Sequence, residues 1–172
     1  TIYMAPMEGL TDFTYRNAYE KTFGKGRITK YFTPFIPAAK KMSKKIKRDL
    51  AVENNGQIRL VPQLIGNRAD EFLMMIRQLE ELGFTSVNLN FGCPSGTVVS
   101  KRKGAGFLAD PKELEMLLEE VLENSPLAVS VKTRVGIKDP DEWEALCGVY
   151  AKFPLEELII HPRLQKDYYS GT

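Results

Sequence analysis

The sequence predicts an α/β fold of the (β/α)8 TIM-barrel type, with about six of the eight β/α units present in its 172 residues. Three observations predict it. Short, nearly continuous apolar runs alternate with segments of helical periodicity, the pattern of parallel strands covered by helices. The polar and reactive residues sit at or just beyond the ends of those runs: Pro6 to Glu8, Gln63, Asn88 to Cys93, Lys132 to Arg134, and His161 to Arg163. A barrel gathers all such ends on one rim, where that fold carries its active site; a doubly wound sheet unites only the loops near its switch point. No Gly-x-Gly-x-x-Gly follows the first strand, and no Gly-Lys-Ser/Thr phosphate loop occurs.

Taken in order, residues 2–7 form a short strand ending in the turn Pro6-Met7-Glu8-Gly9. Asp12 caps a helix running to about Phe23, and Gly24 stops it. Residues 30–36, aromatic and β-branched, are the second strand; residues 38–50 are a basic segment with a short helix, closed by Asn54-Asn55-Gly56. The third strand, 58–65, is apolar except for Arg59 and Gln63. Residues 69–82 are an amphipathic helix with Phe72, Met75, Ile76, Leu79 and Leu82 on one stripe and Gly83 at its end.

Val87, Leu89 and Phe91 alternate with Asn88 and Asn90, so the fourth strand has an apolar face and an amide-bearing face. Gly92 permits unusual backbone angles and Pro94 ends the strand, which holds Cys93 at its carboxyl end. Residues 96–107 read as a polar loop. Asp110-Pro111-Lys112-Glu113 supplies an N-cap, a first-turn proline and an acidic third position for a helix burying Leu114, Leu117, Leu118, Val121 and Leu122. The fifth strand, 127–131, runs into Lys132-Thr133-Arg134. Asp139-Pro140-Asp141-Glu142 repeats the helix-start chemistry ahead of a stripe of Trp143, Leu146, Cys147 and Tyr150, with Cys147 assigned to the core. Residues 158–160 are the sixth strand, ending at His161-Pro162-Arg163.

With 43% hydrophobic residues, the chain reads as one domain with a proper core. The 24 Lys and Arg nearly balance the 22 Asp and Glu, so only local clustering of charge can point to a partner. Cys93 and Cys147 have no metal-ligand spacing and read as free thiols of a reducing compartment. No apolar run is long enough to span a bilayer, and the first residues lack a signal-peptide layout. A cytoplasmic location without a membrane partner is expected, and no metal.

Six motifs together resemble the tRNA-dihydrouridine synthases, in that family's order and spacing, over essentially the whole chain. They are Ala5-Pro6-Met7-Glu8-Gly9-Leu10-Thr11-Asp12, Gln63-Leu64, Asn88-Leu89-Asn90-Phe91-Gly92-Cys93-Pro94, Lys103-Gly104-Ala105-Gly106, Val131-Lys132-Thr133-Arg134-Val135-Gly136 and His161-Pro162-Arg163. The chain departs from the family pattern at residues 95–100 and at Pro162, where the family often has glycine. It also stops before the family's last two barrel strands and C-terminal helical domain, so residues 1–172 are expected to be an incomplete catalytic flavin-binding barrel domain.

The resemblance implies FMN-dependent reduction of the uridine C5=C6 bond in tRNA, with NADPH or NADH as reductant. Cys93 is then the proton donor to C5: a thiol of ordinary pKa is mostly protonated at neutral pH, unlike a nucleophilic cysteine, which needs a depressed pKa and a base. Lys132 would lie near the flavin pyrimidine edge, or pair with a carboxylate instead. Gln63 would bond the isoalloxazine edge, and the backbone of Pro6, Met7 and Glu8 would pack beside the ring. His161 would touch the flavin or its phosphate, or be a satisfied structural group. Asn90 and Arg134 are candidates for the uracil edge, with tying the rim together as their alternative role. Lys101, Arg102 and Lys103, on a mobile loop, would meet tRNA phosphates, as could the basic run Lys40, Lys41, Lys44, Lys45, Lys47 and Arg48, for which a solvated face is the alternative.

Two other readings stand beside this one: a dihydroorotate-dehydrogenase-like flavin oxidoreductase, whose cysteine is a base, and a non-catalytic RNA-binding truncated barrel. Six strands leave two open edges, so these residues alone are expected to bind FMN poorly, not to turn over, and to self-associate through those edges.

Overall fold

Prolines decide where the strands break. The computed structural model describes residues 1–56 and 58–170. The strands are β1 (Tyr3–Met4), β2 (Lys30–Phe32), β3 (Ile36–Pro37), β4 (Leu60–Val61), β5 (Gln63–Ile65), β6 (Ser86–Phe91), β7 (Ala128–Arg134) and β8 (Leu158–His161). All their pairings are parallel, in the orders β1-β2-β4 and β3-β5-β6-β7-β8.

The two sheets are one wall. The expected second strand is interrupted around Pro34 and the third at Pro62, since proline has no N–H for the ladder. Across the break, Gln63 N donates to Thr33 Oγ1 at 3.0 Å and Asn88 N to the Pro62 carbonyl at 2.9 Å. Six strand positions therefore follow one another in sequence order, a partial (β/α)8 barrel.

The helices are α1 (Phe13–Tyr19), α2 (Lys44–Leu50), α3 (Val52–Asn55), α4 (Ala69–Glu81), α5 (Gly96–Val99), α6 (Pro111–Asn124) and α7 (Glu142–Tyr150). Phe72, Met75, Ile76 and Leu79 of α4 join Leu114, Leu118 and Val121 of α6 and Leu146 of α7 in one core. Val87, Leu89 and Phe91 of β6 and Val129 and Val131 of β7 complete it from the outer face of the wall. Period-2 alternation sends the residues between them to the opposite face, which lines the barrel interior. No described helix is long and apolar enough to cross a membrane.

Several boundaries differ from expectation, each for a local reason. Asp12 caps α1 through Tyr15 N as expected, but the helix then widens into a π-helical turn, Glu20–Gly24. A Cβ on Gly24 would fall 2.7 Å from Tyr31 Oη, which donates to Glu20, so that bond requires glycine there. Asp110 caps α6 as expected. At α7 the repeat of that pattern does not cap: the helix starts at Glu142, whose carboxylate folds back to accept from the backbone N–H of Ile137, Lys138 and Asp139. Cys147 is exposed, not core, because the buried stripe runs Leu146, Val149, Tyr150 and residue 147 lies about 100° round the helix from Leu146. Leu82 likewise lies past the end of α4 and is exposed. The expected polar loop 96–107 contains α5 and a 3₁₀ helix, Gly104–Ala109.

At the amino ends of the strands a charged cluster links β1 and β2 to the segment before β8. Glu157, just before β8, accepts from Tyr3 Oη and from Lys30 Nζ at 2.9 Å, and Glu156 accepts from Lys30 Nζ at 3.1 Å. The reactive residues lie at the other end.

Candidate active site

A chain of side-chain hydrogen bonds floors the site. Gln63, Asn88 and Ser130 are register partners on β5, β6 and β7, and Asn90 and Lys132 are partners one layer higher. Ser130 Oγ accepts from Asn88 Nδ2 at 2.9 Å, Asn88 Oδ1 from Gln63 Nε2 at 2.7 Å, and Gln63 Oε1 from Asn90 Nδ2 at 2.8 Å. Asn90 Oδ1 then accepts the backbone N–H of Gly92 at 3.0 Å and of Cys93 at 2.9 Å. Buried amides are stable only when satisfied, and here each satisfies the next. Ser130 joins the site beyond the residues expected for it; its signal in the sequence is a polar residue two positions before Lys132, as Asn88 stands two positions before Asn90.

The network ends on the cysteine. Its turn is held from the far side too: the Cys93 carbonyl accepts from Ala105 N at 3.0 Å. Gly104, at φ +54°, lies so close that a Cβ there would stand 2.8 Å from that carbonyl oxygen. Lys103-Gly104-Ala105-Gly106 is thus a seat for Cys93. Burial pushes the thiol above its ordinary pKa; a hydrogen bond from Ser95 N pulls it down, Glu8 pushes it up, and Arg134 and Lys132 pull it down. Burial prevails, and Cys93 is a neutral thiol at neutral pH.

Cations surround it. Lys132 is half-buried with its pKa lowered by burial and by Arg134, and among the described residues no carboxylate pairs with it. The alternative of a carboxylate partner for Lys132 is therefore not what the structure shows. Arg134 is 1% exposed and donates to the carbonyls of Gly92 at 2.9 Å, Leu164 at 2.8 Å and Tyr168 at 2.5 Å. It braces the cysteine turn through the Gly92 carbonyl, and Asn90 holds the same turn through its Oδ1. For both, tying the rim is the role the geometry supports. Gln63 is 0% exposed, and its amide nitrogen and oxygen are engaged by Asn88 and Asn90.

His161, in β8, has its pKa lowered by burial and by Arg134, Lys132 and Arg163. Its Nε2 stands 2.9 Å from Arg163 Nη1. Arginine only donates, so this ring is neutral with its proton on Nδ1. Pro6, Met7 and Glu8 form the turn after β1, pinned by Thr11, whose Oγ1 accepts Met7 N at 2.8 Å; Met7 and Glu8 are exposed on the rim. Of the basic trio, Arg102 is in the left-handed region at φ 53° and pairs with Glu113, while Lys101 and Lys103 make no ion pair among the described residues. This segment links α5 to the 3₁₀ helix, with Lys103 N donating to the Val98 carbonyl at 3.2 Å and Gly106 N to the Lys103 carbonyl at 3.0 Å.

The residues present suit an anion-bearing cofactor: a half-buried ammonium without a carboxylate partner among the described residues and a neutral histidine lie on the adjacent strands β7 and β8. A neutral thiol beside them can give a proton but is ill suited to attack.

A family model described as dihydrouridine synthase matches residues 3–172. Among curated relatives, the probable tRNA-dihydrouridine synthase 2 of Bacillus subtilis (strain 168) is 29% identical over 167 residues, covering 95% of this chain and 50% of the relative. Probable tRNA-dihydrouridine synthases of Staphylococcus epidermidis (strain RP62A) and Staphylococcus aureus (strain COL) are 29% and 28% identical over 168 residues, with the same coverage. The chain spans about half the length of the curated relatives it matches.

Proposed function

Because this chain belongs to the dihydrouridine synthase family, we propose that it carries the proton-donating half of the active site of an FMN-dependent tRNA-dihydrouridine synthase. The observation that carries the reading is Cys93: a thiol kept neutral by burial, on a turn fixed by Asn90 and seated on Gly104. FMN, reduced by NADPH or NADH, would supply the hydride that reaches uracil C6. The electron pair released toward C5 takes the proton of Cys93 Sγ–H, leaving a thiolate that solvent reprotonates. A thiol whose pKa is raised gives up its proton only to a strongly basic centre such as that carbanion-like carbon.

Lys132 would hold the pyrimidine edge or phosphate of FMN as its missing counter-anion, and the neutral His161 would donate to it through Nδ1. The Pro6-Met7-Glu8 turn would pack against the ring system. Arg134 and Asn90 position Cys93, and Gln63 positions Asn90. Lys101 and Lys103 would meet phosphates of the tRNA. Two free thiols and an RNA substrate fit a cytoplasmic enzyme.

A dihydroorotate-dehydrogenase-like reading needs Cys93 as a base, which its raised pKa opposes. The test is a flavin spectrum of the purified protein, followed by anaerobic oxidation of its reduced flavin by unmodified tRNA or, in a parallel assay, flavin reduction by dihydroorotate. Flavin binding with oxidation by tRNA alone is expected. A flavin-free protein would move the reading to a non-catalytic RNA-binding barrel, and turnover of dihydroorotate would overturn it.

A further inference from the structure

We propose that a cleft on the same rim, between the β1–α1 turn and α2, takes a nucleotide of the RNA strand adjoining the one reduced at Cys93; this rests on the RNA reading above. The cleft holds about 530 Å³ and is lined by Leu10, Phe13, Phe35 and Ile46, with Lys45 and Arg48 from α2. That volume falls in the roughly 300–1,000 Å³ range of small-molecule sites. Aromatic walls beside two cations match the two parts of a nucleotide, a flat ring to stack and a phosphate to neutralise. Arg48 already lies 5.4 Å from the Phe13 ring centroid.

Three further observations favour an RNA strand. Six cations fall within residues 40–48 without one acidic residue, and none makes an ion pair among the described residues, so the positive track runs on past the cleft. Two nearby carboxylates are committed to α1: Asp12 accepts Tyr15 N at 3.0 Å, and Asp49 accepts Phe13 N at 2.8 Å and pairs with Arg16 at 3.2 Å. Glu8, which also lines the cleft, belongs to the β1–α1 turn at the carboxyl ends of the strands, the end of the wall that also carries Cys93. A neighbouring nucleotide held there would keep the extruded uridine in place, since base extrusion costs stacking that other contacts must offset.

The test measures binding of fluorescently labelled tRNA transcript to the intact enzyme across a salt series. The variant Lys45→Gln/Arg48→Gln is expected to lower the slope of log affinity against log salt by about 1.4–1.8, two contacts at about 0.7–0.9 each. Phe35→Leu keeps an apolar side chain, removes the flat ring, and is expected to weaken binding roughly fivefold or more. Normal wild-type binding with an unchanged slope in the double variant overturns the cleft alone. A raised KM for the nicotinamide with RNA affinity unaltered reassigns it to the reductant and overturns the proposal. Failure of the wild-type enzyme to bind RNA overturns the RNA reading and the cleft with it.

Discussion

Asn90 holds Cys93 from within its own strand: its carboxamide Oδ1 accepts the Cys93 backbone N–H at 2.9 Å, while its Nδ2 is anchored on Gln63 Oε1 at 2.8 Å. The reactive turn is thus tied to the barrel interior by one amide. Asn90→Ala strips a partner from Gln63 and frees the turn. Each buried polar group left without a partner costs about 1–3 kcal/mol. A loss of that size in urea denaturation is expected, together with faster labelling of Cys93 by a thiol reagent. Unchanged labelling would show that Gly104 and Arg134 hold the turn without Asn90.

Cys93→Ala should leave flavin reduction by the nicotinamide intact and slow uridine reduction by ~10²–10⁴, the usual contribution of a positioned proton donor. Stopped-flow flavin oxidation by tRNA reads this directly.

The same thiol sets a pH dependence. The active form is protonated, so it is present below the thiol pKa and lost as pH rises through it. Burial raises that pKa, so the rate should hold past about pH 8.5, the ordinary cysteine value, and fall only beyond it. Cys93→Ala should lack this alkaline limb; a limb surviving in the variant would belong to another group.

Among the basic trio, Lys101→Gln/Lys103→Gln should flatten the salt dependence of tRNA binding by about 0.7–0.9 per lost phosphate contact. Arg102→Gln should act mainly on the fold, removing an exposed ion pair with Glu113 worth about 0–1 kcal/mol. A wild-type salt slope in both variants would place the trio away from RNA.

Glu157 ties β1 and β2 to β8 through Tyr3 and Lys30. Burial raises its pKa, but Tyr3 and Lys30 outweigh this and hold it below the ordinary value. Its contribution is therefore present above the unfolded carboxylate pKa of about 4.3 and lost as pH falls through the lower folded value. Lys30 is the converse: burial lowers its pKa, Glu157 and Glu156 outweigh that, and its share is lost only as pH rises above about 10.4. Glu157→Gln should cost about 1.5–3 kcal/mol at neutral pH, the range for hydrogen bonds to charged groups, and flatten the acid limb of stability. Thermal unfolding from pH 3 to 8 checks both.

The strand–helix alternation, the Asp12 and Asp110 caps, and the apolar stripes of α4 and α6 were legible because they depend on neighbours three or four residues away. The breaks at Pro34 and Pro62 run against the continuous apolar pattern of those segments, and only proline's missing N–H signals them. The exposure of Cys147 turned on which side of α7 meets the wall, which a stripe of mixed residues did not settle.

That polar, reactive residues cluster at strand ends, and that Cys93 terminates an amide-bearing strand, is written in local signals: period-2 alternation and Gly-Pro punctuation. The contacts those residues make depend on long-range packing. Gln63, Asn88 and Ser130 became one chain of hydrogen bonds through the register of three strands distant in sequence. Arg134 became a brace for the cysteine turn because the chain folds three carbonyls around its guanidinium. Cys93 became a neutral acid because long-range packing buries it, and the energy of a charge depends on what surrounds it, not on its neighbours in sequence.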